Sequence, residues 1–288
     1  MARYLSLALF ALALLFQACG GSGSQTGGLA NTPAATPTAA PLPDASALLK
    51  RLSTQDGCKE FTAEMVMQAV SSDGKRDQVE FRIQRKYSAD GAKTFLTVLA
   101  PKEDADKALL AVEQIDQPTQ AFSYLAGLKK LTRLNSDRQL GFRGAKVTVQ
   151  EMLGMELGQY THDAGARVEV NGASLFKVEL KAQPERRLAF PRINVFFREA
   201  DQTPVKFELY DERNELQKVV LIDEVKTIQN RMTITRLSIE DLQQNLKLKA
   251  ETRKVQYDHN LSDKLFSEDY LKAYVSDASR KLDQAGKE

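Results

Sequence analysis

From Phe61 to Gln256 apolar and polar residues trade places with a period of two, and this pattern limits the chain to a β-rich fold. Phe61, Ala63, Met65, Met67 and Ala69 share one face, with Thr62, Glu64 and Gln68 on the other. Val79, Phe81, Ile83 and Tyr87 alternate with Glu80, Arg82, Gln84 and Lys86. Further strands are predicted at Lys93–Ala100, Ala108–Gln114, Gln120–Tyr124, Lys130–Leu134, Ala166–Val170, Leu175–Ala182, Ile193–Arg198, Val205–Tyr210, Leu216–Ile222, Arg231–Ser238 and Lys247–Gln256. Loops are expected at 71–74, Asn171-Gly172 and Asp211–Asn214. Strand centres spaced about 10–12 residues apart indicate an antiparallel meander. About ten to twelve strands exceed one flat sheet, so the sheet must curl, split or close.

Helices are few. Asp44–Leu52 opens on an N-cap Asp44, with Leu48, Leu49 and Leu52 at helical spacing. Val149–Leu157 and Glu268–Leu282 are the other two, the last capped by Ser267. They cover too little of so large a sheet, so its concave side is expected to be partly hollow.

The N-terminus is an address. Arg3 precedes a twelve-residue apolar run, Leu5–Phe16. A run of this length is too short to span a bilayer and suits a signal-peptide core. It ends in Phe16-Gln17-Ala18-Cys19-Gly20, which resembles a bacterial lipoprotein signal with Cys19 as the acylated residue. Residues 1–18 are then the signal and 19–43 the lipidated cysteine with its linker. Gly20–Pro43 carries no charge and is rich in Gly, Ser, Thr, Ala and Pro, too poor in apolar surface to fold. As a tether it spans roughly 25–30 Å. Gly20 stands where an Asp would signal retention, so the resemblance implies an outer-membrane anchor facing the periplasm. The folded body is expected over 44–275, with a charged helix end over 276–288.

Composition removes most other functions. Forty basic residues face 38 acidic ones, which excludes a strongly basic nucleic-acid binder. Two Cys cannot build a disulfide framework or a four-thiolate zinc site, and with only two His most metal-enzyme readings weaken. Cys58 reads as a small, partly buried hydrophobe. His162-Asp163 and Asp258-His259 are neighbours that a strand would point to opposite faces, so neither makes a dyad. The sequence lacks a phosphate-binding loop, a nucleophile elbow and a zinc-protease motif. No enzyme activity and no cofactor are expected.

Several segments carry a resemblance to a known family. Tyr124-Leu125-Ala126-Gly127-Leu128-Lys129-Lys130-Leu131-Thr132-Arg133-Leu134 is similar to a Tyr-Leu-Pro-x-Leu-basic-basic stretch, with Ala126 in the Pro position. Phe142–Met152 matches a Phe-x-Gly-x-Asp segment, with Lys146 and Glu151 replacing its two Asp residues. Thr203–Asp211 resembles a Leu-Pro-x-Lys-x-x-x-Tyr-Asp strand, and Leu261–Leu271 a Leu-Pro-Asp-x-Leu-Phe-Thr ending. Together, over Ala45–Leu271, they resemble the outer membrane lipoprotein-sorting family, LolA/LolB-like in fold. That resemblance implies a half-open barrel of about eleven strands, a helical lid and an apolar cavity for acyl chains of lipids or lipoproteins.

The physics of such a task is simple. A sixteen-carbon chain released into water costs roughly 12 kcal/mol, at about 0.8 kcal/mol per CH₂. The expected cavity lining is Met65, Met67, Phe81, Ile83, Leu96, Val98, Phe176, Val178, Leu209, Val220, Met232, Ile234, Leu246 and Leu248. Lys129, Lys130 and Arg133 are candidates for phosphate headgroups. A monomer is expected, with a membrane transporter as its handover partner. The competing reading is an envelope-stress sensor or an accessory module of an export complex, which would use the same fold to bind a protein.

Overall fold

The structure is a computed structural model. It describes residues 41–52, 58–70, 74–114, 117, 119–135, 138–142, 145–149, 153, 159–184 and 188–285, and the backbone of Leu15–Gln17. Cys19, most of the linker, the loop at 71–73 and most of the expected helix Val149–Leu157 lie outside the described residues.

The chain runs β1 (Leu15–Gln17), α1 (Ala45–Leu52), β2 (Glu60–Val70), β3 (Arg76–Ser88), β4 (Gly91–Ala100), β5 (Ala108–Gln114), β6 (Gln120–Leu125), β7 (Lys130–Leu134), β8 (Gln139–Phe142) and β9 (Ala145–Thr148). It continues through β10 (Tyr160–His162), β11 (Ala166–Val170), β12 (Ala173–Ala182), β13 (Arg192–Arg198), β14 (Pro204–Tyr210), β15 (Leu216–Ile228), β16 (Arg231–Asp241) and β17 (Leu246–Tyr257) to α2 (Glu268–Ala285).

One 15-stranded antiparallel sheet holds nearly everything, in the order β10-β12-β13-β14-β15-β16-β17-β2-β3-β4-β5-β6-β7. It curves without closing: β10 and β7 are its ends and do not pair. The alternation announced β11 but not β1 and β10 of the main sheet or β8 and β9, which pair separately, and these raise the strand count above the expected eleven. Strands of three or four residues are too short for a period-two pattern to reveal.

Local signals place the ends. The Asp44 carboxylate accepts the Ser46 N–H at 2.9 Å, the expected cap of α1. Ser267 Oγ accepts the Tyr270 N–H at 3.2 Å and starts α2, which runs unbroken past 275 to Ala285. Asn171 and Gly172 both have positive φ (51° and 78°), as the tight turn between β11 and β12 requires. Asp211 accepts the N–H groups of Arg213 and Glu215, each at 2.9 Å, and folds the β14–β15 turn.

Among the described residues the buried apolar side chains form two cores. The larger lies on the inward face of β2–β7, β10 and β12–β17, where Phe61, Met65, Phe81, Val195 and Leu248 meet Leu48, Leu49 and Leu52 of α1, with Val149 and Leu153. The smaller lies on the other face of β4–β6. There Phe95 and Leu110 pack on Leu271 and Val275 of α2 and on Leu265 and Phe266 of the turn before it. Phe95 and Leu96 are consecutive, so they point to opposite faces, and this stretch of sheet is buried on both. No described helix is long and apolar enough to cross a membrane.

Candidate functional site

A largely apolar cavity of about 410 Å³ opens at the rim where the two cores meet. That is within the usual range of about 300–1,000 Å³ for small-molecule sites. Leu96 and Leu109 of the inward face form its floor. Ala108, Ser123 and the run from Tyr124 to Leu128 form one wall. Asp106, Lys107 and Ser279 of α2 form the other.

Two turns shape it. A 3₁₀ turn at Lys102–Asp104 leads into β5, and Lys107 Nζ lies 2.6 Å from Asp104 Oδ1. A second 3₁₀ turn, Ala126–Leu128, joins β6 to β7. It ends on Lys129, held at φ 47° with its N–H donating to the Ala126 carbonyl. Ser279 Oγ donates to Asp106 Oδ2 at 3.2 Å and ties α2 to the wall. The β6–β7 turn also exposes two large apolar side chains, Leu125 at 51% and Leu128 at 73%. The segment similar to the Tyr-Leu-Pro-x-Leu stretch is therefore a cavity wall and its lip.

The expected lining residues are all buried, and all belong to the larger core. Among the cleft's walls only Leu96 comes from that set; Met65, Met67, Phe81, Ile83, Val98, Phe176, Val178, Leu209, Val220, Met232, Ile234, Leu246 and Leu248 lie elsewhere in the larger core and do not line it. Lys129, Lys130 and Arg133 are exposed just beyond the turn.

Sequence reasoning missed two charged pairs set among the apolar side chains. Arg85 Nη2 lies 2.7 Å from Glu113 Oε2, and Arg85 Nη1 donates to Thr94 Oγ1 at 2.9 Å and to the Leu153 carbonyl at 3.5 Å. Lys218 Nζ lies 3.6 Å from Asp241 Oδ2, both almost fully buried. The signal was present: Arg85 falls in the inward phase of β3, between Ile83 and Tyr87, where a charge must find an internal partner.

The other candidates are structural. Cys58 is half-buried, and burial, with the nearby Asp258 carboxylate, pushes its thiol up to about 11. His162 Nε2 meets Ser46 Oγ at 3.1 Å on the exposed surface, and His259 Nε2 meets Thr62 Oγ1 at 2.9 Å. Asp258 Oδ1 accepts the backbone N–H groups of Lys59 and Glu60, while Oδ2 pairs with Arg231. Among the described residues no group of His, Cys, Asp and Glu could hold a metal ion.

A family model described only as an uncharacterised protein matches residues 90–273. The chain belongs to that family, and its fold is LolA-like. No curated protein matches. A DUF1329 family protein from Desulfovibrio piger superposes with a TM-score of 0.66 at 17% identity, over 75% of this chain and 92% of its own. A putative outer membrane lipoprotein-sorting protein domain from Vibrio parahaemolyticus gives 0.66 at 18% identity, over 75% and 93%. A LolA superfamily protein from Nitrosomonas europaea gives 0.61 at 17%, over 75% and 93%. At these identities the likeness carries the LolA-like architecture of this chain and not its ligand.

Proposed function

We propose that this protein is a lipid-anchored, periplasm-facing acceptor or carrier that takes acyl chains of lipids or lipoproteins. The observation that carries the reading is the apolar cleft of about 410 Å³ between the β6–β7 turn and α2. A hydrocarbon placed there leaves water at about 25 cal/mol per Å² of apolar surface covered. Leu96 and Leu109 belong both to the cleft and to the larger core. In this reading the cleft is the mouth, and the inward face behind it, with Met65, Met67, Phe81 and Ile83, is the surface over which a longer chain spreads. Methionine side chains suit that role because they repack at low cost. Lys129, Lys130 and Arg133, beside the mouth, meet phosphate headgroups.

Anchoring at Cys19 to the outer membrane follows from the signal-like N-terminus. A body tied by a short tether cannot cross the periplasm, so a receiving role fits better than a shuttle. The likeness to the lipoprotein-sorting domain from Vibrio supports the reading at the level of fold.

The test is displacement of a fluorescent fatty acid from the purified protein. Ala126→Trp, which fills the cleft from its rim, is expected to abolish binding while leaving the melting temperature within a few degrees. Saturable binding that survives this substitution would place the ligand elsewhere.

A further inference from the structure

The sheet splits internally between β16 and β17. β16 pairs with β15 along its whole length, Arg231 to Asp241, but with β17 only from Arg236 to Asp241. Below Arg236 the two strands part. β17 stays with β2, bulged between Arg253 and Gln256 with Lys254 at φ 49°. Long side chains span the gap at its far end. The Gln229 amide accepts the Tyr257 N–H at 2.7 Å and donates to the Tyr257 carbonyl at 3.3 Å. Thr233 Oγ1 meets the Tyr257 hydroxyl at 2.9 Å, and Arg231 Nη2 meets Asp258 Oδ2 at 2.6 Å.

The direction of the backbone groups in the gap follows from the turn. Gln229 and Asn230, both at positive φ, close a two-residue turn on the pair Ile228 and Arg231. Those two exchange hydrogen bonds, so Arg231 spends its N–H and C=O on β15. Met232 and, two residues on, Ile234 turn theirs the other way, toward the gap. The strand is continuously buried over Met232–Thr235, where its neighbours alternate. Backbone groups so placed demand a partner. In this structure a third strand supplies it: β1 pairs antiparallel with Arg231–Thr233, with residue 16 opposite Met232.

We propose that the unpaired half of β16 is a strand-addition site for an extended apolar segment of another polypeptide. The chain's own Leu15-Phe16-Gln17 shows the kind of occupant that fits: a short apolar stretch running antiparallel to β16. These residues lie ahead of Cys19, so processing at that cysteine removes them and leaves the amides of Met232 and Ile234 facing an open gap. A partner strand then gains main-chain hydrogen bonds from an edge already in extended form. The site is separate from the acyl cleft and rests on the proposed function only for processing at Cys19, so acyl binding and strand addition can fail independently.

The test uses the processed, full-length protein in detergent and two synthetic peptides, residues 13–18 with a lysine tail for solubility and the same peptide N-methylated at residue 16. The unmodified peptide is expected to bind saturably and to slow hydrogen exchange of the Met232 and Ile234 amides. The N-methylated peptide keeps every side chain but loses the central donor, and should bind roughly tenfold more weakly. Equal affinity of the two peptides would show apolar adhesion without strand pairing and overturn the proposal. Absence of saturable binding, or protection confined to other segments, would overturn it as well.

Discussion

The middle of this sheet and the stretch toward its β7 end treat their outer faces differently. Over β2, β3 and β17 the outer face carries exposed charge: Glu64 pairs with Arg82 and Lys254, and Glu251 with Arg253. Over β4–β6 the same face is apolar and covered by α2. A sheet wet on one side needs a single core, whereas one packed on both sides must end somewhere, and at that rim apolar residues of both faces come together. The cleft sits at this rim, with Leu96 and Leu109 from one core and Tyr124 and Ala126 from the edge of the other. The position of the site is thus a consequence of the double covering.

The sharpest way to break this comparison is to treat the two cores alike. Phe81 on the inward face and Phe95 beneath α2 are both almost fully buried. Phe81→Ala and Phe95→Ala should each cost about 3–5 kcal/mol in urea unfolding. A Phe95→Ala cost below 1 kcal/mol would mean that α2 is a loose cover and no second core. Next, Glu113→Gln takes the Glu113 charge away from the buried Arg85 guanidinium, and should cost about 3 kcal/mol by the same measurement. By contrast Arg82→Ala on the wet face removes a half-exposed pair and should cost under about 1 kcal/mol.

The last prediction is a pH response. The Cys58 thiol, pushed up to about 11 from an ordinary 9.0, stays protonated in the folded state while the unfolded chain ionises. The folded state then holds the extra proton, so stability falls as pH rises from about 9 toward 11. Cys58→Ser should remove that decline. Iodoacetamide should label native Cys58 slowly at pH 8 and faster as pH approaches 11, and fast labelling at pH 8 would contradict the assignment.

Strand positions were legible because the inward residues alternate over long runs such as Phe61–Ala69, and the caps at Asp44 and Ser267 are local signals. Burial of the inward set was legible for the same reason. The cleft was not. It depends on which residues sit at the end of a covered stretch, and only the packing of α2 against Phe95 and Leu110 decides that. Arg85 and Lys218 were missed because a charge in the inward phase reads as a break in the pattern until its partner, far away in sequence, is known. The split between β16 and β17 was hidden because pairing partners leave no trace in either strand's own periodicity.

The most direct measurement is native mass spectrometry of the protein purified from membranes, beside its Ala126→Trp variant. An acyl-chain acceptor should carry a co-purifying lipid in the wild type and lose it in the variant. A wild-type protein that arrives empty and stays empty when mixed with phospholipid or fatty acid would contradict the central claim.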